Sequence, residues 1–162
     1  MFDTEIKTSA ALYNVPESWV RAVIETESSW KPDAYRAEAR INDASYGLMQ
    51  LLYQTAVGLG YSGAATGLYD PAVNIDLGTK LLGQLRERYG DDFRRVYSAY
   101  NSGSPDKWLT SSQVAMNVSR AVANLAKWVQ TEVSAFAATP ESGPIVGLLV
   151  LIALYFWTGK RR

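Results

Sequence analysis

The stretch VRAVIETESSW, residues 20–30, carries apolar side chains at Val20, Val23 and Ile24 and then, seven positions after Val20, puts Glu27 on the same stripe. Recurrence at i, i+3, i+4 and i+7 predicts an amphipathic helix, so Glu27 belongs to the face that turns inward. An ionised carboxylate is costly there, and its pKa should rise into the range of a general acid working near neutral pH. Glu25 lies about 200° around the same helix and faces solvent or a helix neighbour. On periodicity alone, Glu27 could equally satisfy a helix cap or a buried ion pair.

Outward from this segment the pattern stays helical. Phe2, Ile6, Ala10 and Tyr13 repeat at helical spacing until Asn14 and Pro16 break the run, and Pro16-Glu17 suits the first turn of the helix that carries Glu27. Asp70-Pro71 is a second start signal, with Asp as N-cap. The helix after it presents Asn74, Leu77, Gly78, Leu81, Leu82 and Leu85 on one face and stops at Gly90. Phe93, Val96, Tyr97 and Tyr100 form another stripe, and a long amphipathic stretch runs from about Ser112 to Ala138. Residues 38–52 could hold a short irregular hairpin; no longer alternating run and no internal repeat is present. The fold class expected is mostly α, in an α+β arrangement.

The composition narrows the chemistry. The 162 residues include no His and no Cys, which removes the commonest catalytic base, the commonest metal ligand and any disulfide framework. Catalysis would have to run on carboxylates, hydroxyls, amides or backbone groups, with no metal and no cofactor. The formal net charge of zero is a sum over unlike regions: residues 1–142 hold 13 basic and 16 acidic groups, whereas residues 143–162 hold three basic and none acidic. That last stretch contains IVGLLVLIALYFW, residues 145–157, closed by Thr158-Gly159-Lys160-Arg161-Arg162. As a helix the apolar run measures about 20 Å, or roughly 25 Å with its flanks, against a bilayer core of about 30 Å. Tyr155 and Trp157 stand where interfacial aromatics belong, and Lys160 can carry its charge to water. The expected organisation is a domain over 1–138, a linker at 139–144 rich in Pro, Ser and Gly, a transmembrane helix at 145–159 and a basic tail at 160–162. The alternative is a buried C-terminal helix of the globular domain. Residues 1–17 have neither a basic n-region nor an apolar h-region and do not read as a secretory signal.

Four motifs in register point to chemistry. Glu27-Ser28 is followed by Gly47-Leu48-Met49-Gln50, then by Asp70-Pro71-Ala72-Val73-Asn74-Ile75, then by Ala99-Tyr100-Asn101-Ser102-Gly103. In that order and at those spacings the chain resembles the soluble lytic transglycosylase (SLT) domain of the lysozyme-like superfamily, over roughly residues 10–105. The resemblance implies a lysozyme-like fold and a lyase acting on the MurNAc-GlcNAc β-1,4 bond of peptidoglycan. It implies that Glu27 is the single acid/base, protonating the glycosidic oxygen and then taking the proton of the muramic C6 hydroxyl, which leaves a 1,6-anhydro product. By the same resemblance Gly47 to Gln50 line the sugar groove, with Met49 an apolar contact and Gln50 an amide for sugar hydroxyls or acetamido groups. Ser45 corresponds approximately to a serine near the catalytic Glu. Tyr100 and Asn101 match the family's Tyr-Asn pair, with the Tyr hydroxyl near the acid. Read without the resemblance, Tyr100 completes an apolar stripe, Asn101 and Gly103 can end a helix, Met49 can be core, and Asp70, Pro71, Asn74 and Ile75 are structural.

The chain departs from the family pattern at Ser102, where Ala is usual, and between Trp30 and Gly47. Goose-type lysozymes share the Glu-Ser and Gly-Leu-Met-Gln motifs but carry an Asp two residues past the Gln, where this chain has Leu52. Asp43 is the carboxylate that could lie across the groove and hold a water, which would make the protein an inverting lysozyme. The expected partners are peptidoglycan glycan strands, a membrane bound through the C-terminal helix, and other virion or envelope proteins. No basic and aromatic stripe or phosphate loop points to nucleic acid. The Lys-Arg-Arg end predicts a cytoplasmic C-terminus, yet nothing in the sequence exports the domain. A bacteriophage virion component that opens the wall during entry resolves the conflict, and an inner-membrane enzyme facing the wall is the other setting. A different class also remains: a membrane-anchored wall-binding structural protein with a degenerate site.

Overall fold

The computed structural model describes residues 1–138. Six helices and one small sheet follow in the order α1 (Asp3–Leu12), α2 (Glu17–Ser28), β1 (Tyr35–Glu38), β2 (Asp43–Tyr46), β3 (Leu51–Leu52), α3 (Tyr53–Gly58), α4 (Pro71–Tyr89), α5 (Phe93–Ser102) and α6 (Ser112–Ala137), with short 3₁₀ turns at Ala39–Ile41, Ala65–Tyr69 and Lys107–Leu109. Two units are distinguished, Met1–Leu125 and Ala126–Arg162. The apolar run at 145–157 and the 139–144 linker lie outside the described residues, and no helix among the described residues is long and apolar enough to cross a membrane.

The starts and stops obey local chemistry. Asp70 accepts from the backbone N–H groups of Ala72 and Val73 and so caps α4, with Pro71 contributing no orphaned donor at the first turn. Asp92 caps α5 in the same way through Arg94 N, and Gly103 ends it in the left-handed region. At the end of α2, Ser29 and Trp30 both adopt positive φ. This turns the chain sharply away just past Glu27.

The sheet is antiparallel in the order β1-β2-β3, with Tyr35 opposite Tyr46, Arg36 opposite Ser45, and Ser45 opposite Leu52. It begins three residues earlier than the hairpin expected from the sequence and gains a third strand of only two residues. Strands this short give too few alternations to read a period of two.

Val20, Ala22, Val23 and Ile24 of α2 are completely buried with Leu48, Met49, Ile75, Leu82, Val96 and Tyr97. A second cluster, Leu51, Ala56, Leu59, Leu68 and Leu77, lies under the sheet and α3, with Tyr46, Tyr53 and Tyr100 packed against it. The first half of α6 adds Val114, Val118, Ala121 and Leu125. In the second unit the Lys127 ammonium lies over its neighbour, the Trp128 ring, 5.2 Å from the centroid.

Candidate active site

Glu27 sits in the last turn of α2, partly exposed on a helix whose neighbouring side chains are buried. Its local setting follows from the sequence: Thr26 and Ser28 return their hydroxyls to the Ala22 and Ile24 carbonyls, so neither competes for the carboxylate. Thr26 also accepts from Asn124 of α6, which pins this turn from behind. Burial is the main influence on the Glu27 carboxyl and pushes its pKa above the ordinary range. A hydrogen bond from Tyr97 and the positive charges of Arg36 and Arg120 oppose that rise without cancelling it. Among the described residues, no second carboxylate acts on Glu27.

The hydroxyl on Glu27 is that of Tyr97, donating to Oε1 at 2.7 Å. Tyr100, which the sequence pointed to for this neighbourhood, lies with its ring stacked 6.4 Å from that of Tyr97 and donates instead to the Met49 carbonyl at 2.7 Å. Burial drives both phenols well above their usual pKa, with the Glu27 charge adding to the effect, so both stay protonated donors. Tyr97 was legible only as core. The signal for more was available: a fully buried Tyr hydroxyl needs a partner, and Glu27 was the one carboxylate assigned to the inner face.

The segment Gly47 to Gln50 forms a tight turn wedged between the sheet and α4. Gly47 has φ +71°, and a Cβ there would lie 2.5 Å from both Asn74 Nδ2 and Leu68 O. Asn74, completely buried on α4, ties the turn to its surroundings: its Oδ1 accepts from Met49 N at 2.7 Å, and its Nδ2 donates to Tyr46 O at the end of β2 and to Leu68 O in the 3₁₀ turn before α4. The Met49 side chain is completely buried against Gly78 of α4. Of the two readings of Met49, core and sugar contact, this packing is the core one: Gly78 leaves a slot in the helix face, and the thioether fills it. Gln50, at φ +47°, uses its Nε2 on the Ala34 and Gly47 carbonyls, which braces the turn against the start of the sheet. The Gln50 side-chain oxygen has no hydrogen-bond donor among the described residues.

Ser45, on β2, is nearly fully buried and directs its hydroxyl to Glu38 at 3.4 Å; Glu38 also pairs with Arg36. Asn101 accepts from Asn117 of α6 at 3.2 Å, tying the end of α5 to that helix. Asp43 accepts from Ala44 N on one oxygen and, at the start of α3, from Gln54 N on the other. The structure thus gathers Glu27, Tyr97 and Tyr100 with the Met49 backbone, and gives Ser45 and Asn101 supporting bonds of their own.

Because Asn74 carries three backbone partners, Asn74→Ala should lower the free energy of unfolding by about 3 kcal/mol, near 1 kcal/mol for each bond lost. Urea titration measures this, and a loss well under 1 kcal/mol would count against Asn74 as the brace of the turn.

The sequence model of the family described as the transglycosylase SLT domain matches residues 5–121. The membrane-bound lytic murein transglycosylase C of Haemophilus influenzae is 34% identical over 113 residues, covering 61% of this chain and 30% of that protein. The transglycosylase of Enterobacteria phage PRD1 is 37% identical over 99 residues, covering 61% of this chain and 34% of that protein. The matched region is therefore about a third of those relatives' length. Among solved structures, the 70 kDa soluble lytic transglycosylase of Escherichia coli superposes with a TM-score of 0.68 at 22% identity, over 77% of this chain and 23% of that one. This last likeness shows that the chain shares the fold of the matched part of that enzyme.

Proposed function

The chain belongs to the transglycosylase SLT domain family, and from that premise we propose that it is a peptidoglycan lytic transglycosylase in which Glu27 is the single acid/base. The observation that carries the reading is Glu27 itself: a partly buried carboxyl with a raised pKa and, among the described residues, no carboxylate partner acting on it. A glycosidase that hydrolyses by two carboxylates needs a second one flanking the bond, either to hold water or to attack. Asp43, the best candidate for that part, spends both oxygens on backbone N–H groups. A lone acid whose pKa lies nearer neutrality suits the other chemistry. Protonated, it gives its proton to the glycosidic oxygen; ionised, it takes the proton of the C6 hydroxyl as that oxygen closes on C1. Gln50 and Asn101 line the sugar groove in this reading, with Gly47 keeping the turn narrow.

The protein's setting belongs to the same proposal. Residues 139–144 link the domain to a transmembrane helix at 145–159 with a basic tail at 160–162, and the enzyme acts on the wall as a phage virion component during entry. The phage relative and the word "membrane-bound" in the name of the Haemophilus relative support this. Mass spectrometry of peptidoglycan digested with the purified protein tests the reaction. Anhydro-muropeptides are expected; products one water heavier would identify a hydrolytic lysozyme, and wall binding without turnover would identify a structural role.

A further inference from the structure

We infer that Tyr97 is a positioning residue that holds Oε1 of Glu27 and leaves Oε2 as the oxygen that exchanges protons with the substrate. The inference rests on the acid/base reading of Glu27 and adds which oxygen performs it. Tyr97 Oη lies 2.7 Å from Oε1, and no other acceptor for this hydroxyl exists among the described residues. An ionised carboxylate only accepts, so Tyr97 must be the donor in that state. With nowhere else to send its proton, it remains the donor when Glu27 is protonated. The glutamic acid proton then resides on Oε2, which accepts no hydrogen bond from any described residue.

The stack makes the arrangement rigid. The Tyr97 ring is sandwiched between Phe93, with centroids 5.9 Å apart, and Tyr100, at 6.4 Å, and it is completely buried. Tyr100 is locked in turn by its bond to Met49 O. Neighbouring tyrosines of one helix thus divide the work: Tyr97 addresses the acid and Tyr100 addresses the turn that carries Gln50. The proton on Oε2 passes to the glycosidic oxygen as the C1–O bond breaks, and the C6 hydroxyl proton returns to Oε2 as the O6–C1 bond forms. Throughout, Tyr97 neither gains nor loses a proton.

Three groups favour the ionised form of this carboxyl: Tyr97 from α5, Arg36 from β1 and Arg120 from α6. Tyr97→Phe removes one of them while preserving the ring stack. The hydroxyl bond favours the carboxylate, so its loss should raise the pKa of Glu27. In the full chain, carbon NMR of labelled Glu side chains, assigned through Glu27→Gln, should show the Glu27 titration moved to higher pH in Tyr97→Phe and unmoved in Tyr100→Phe. The descending alkaline limb of the kcat/KM profile should move the same way, with kcat about tenfold lower and KM little changed, because an unheld acid loses its orientation. An unmoved titration in Tyr97→Phe overturns the inference, as does a fall in kcat with no shift of the limb. If the wild-type chain turns over no glycan, the proposed function fails, whereas the NMR titration still decides whether Tyr97 holds Glu27.

Discussion

Glu27→Gln is expected to reduce turnover of peptidoglycan by roughly 10²–10⁴, the range that acid–base assistance supplies, and at the same time to make the neutral-pH protein more stable. The two effects share one cause. Folding buries the Glu27 carboxyl among apolar neighbours and raises its pKa above an ordinary value of 4.5. The folded state therefore prefers the protonated form. Relative to a side chain that does not titrate, Glu27 contributes stability that is fully present below pH 4.5 and is lost as pH rises through the folded-state pKa. Ionising the wild-type carboxyl puts a charge in a poor place, whereas the amide is neutral at every pH and can still accept from Tyr97. The gain should be on the order of 1 kcal/mol, in keeping with the stability that functional groups withhold from a fold. Thermal melts across pH provide the check. The Tm of the variant should exceed that of the wild type by a margin that opens above pH 4.5 and then levels off. A margin that widened towards low pH would mean that the Glu27 carboxylate is stabilised by its surroundings, and a general acid at this position would lose its physical basis.

Which parts of this arrangement could be read from the chain depends on how far apart the partners lie. The face of α2 is a property of consecutive turns, so Val20, Val23, Ile24 and Glu27 revealed both the helix and its acid. The α4 start is equally local, with Asp70 and Pro71 acting within one turn. What periodicity cannot supply is the partner across the core. Tyr97 and Tyr100 both sit on the inward stripe of α5, and nothing in the spacing says that one hydroxyl meets Glu27, 70 residues away, while the other meets the Met49 carbonyl, 51 residues away. Met49 reads as either core or groove because an apolar residue suits both; the slot at Gly78 of α4 decides it. Asn74 shows the same limit. On a helix face otherwise made of Leu and Gly it looked like packing, and its bonds to Met49 N and Tyr46 O exist only once α4 lies against that segment.

Gly47→Ala should produce the largest loss of stability of any single methyl addition near this site, about 3–4 kcal/mol. Two costs combine. At φ +71° an L side chain is strained by roughly 1–2 kcal/mol, and the new Cβ would stand 2.5 Å from the Leu68 carbonyl oxygen and from Asn74 Nδ2. Neither neighbour can yield cheaply: the first is backbone, and the second is fixed by its bonds to Tyr46 O and Leu68 O. Gly103→Ala separates the two costs, because Gly103 has φ +75° with nothing within 4 Å of the added atom. It should show the backbone strain alone, roughly 1–2 kcal/mol. Urea unfolding of both variants measures the difference. Relief of the clash must come from moving the turn, which carries the Met49 carbonyl bonded to Tyr100 and the Gln50 amide, so turnover should fall in Gly47→Ala even where it remains folded. Equal destabilisation of the two variants would mean that the turn has room beside α4, and Gly47 would then be present for its backbone conformation alone.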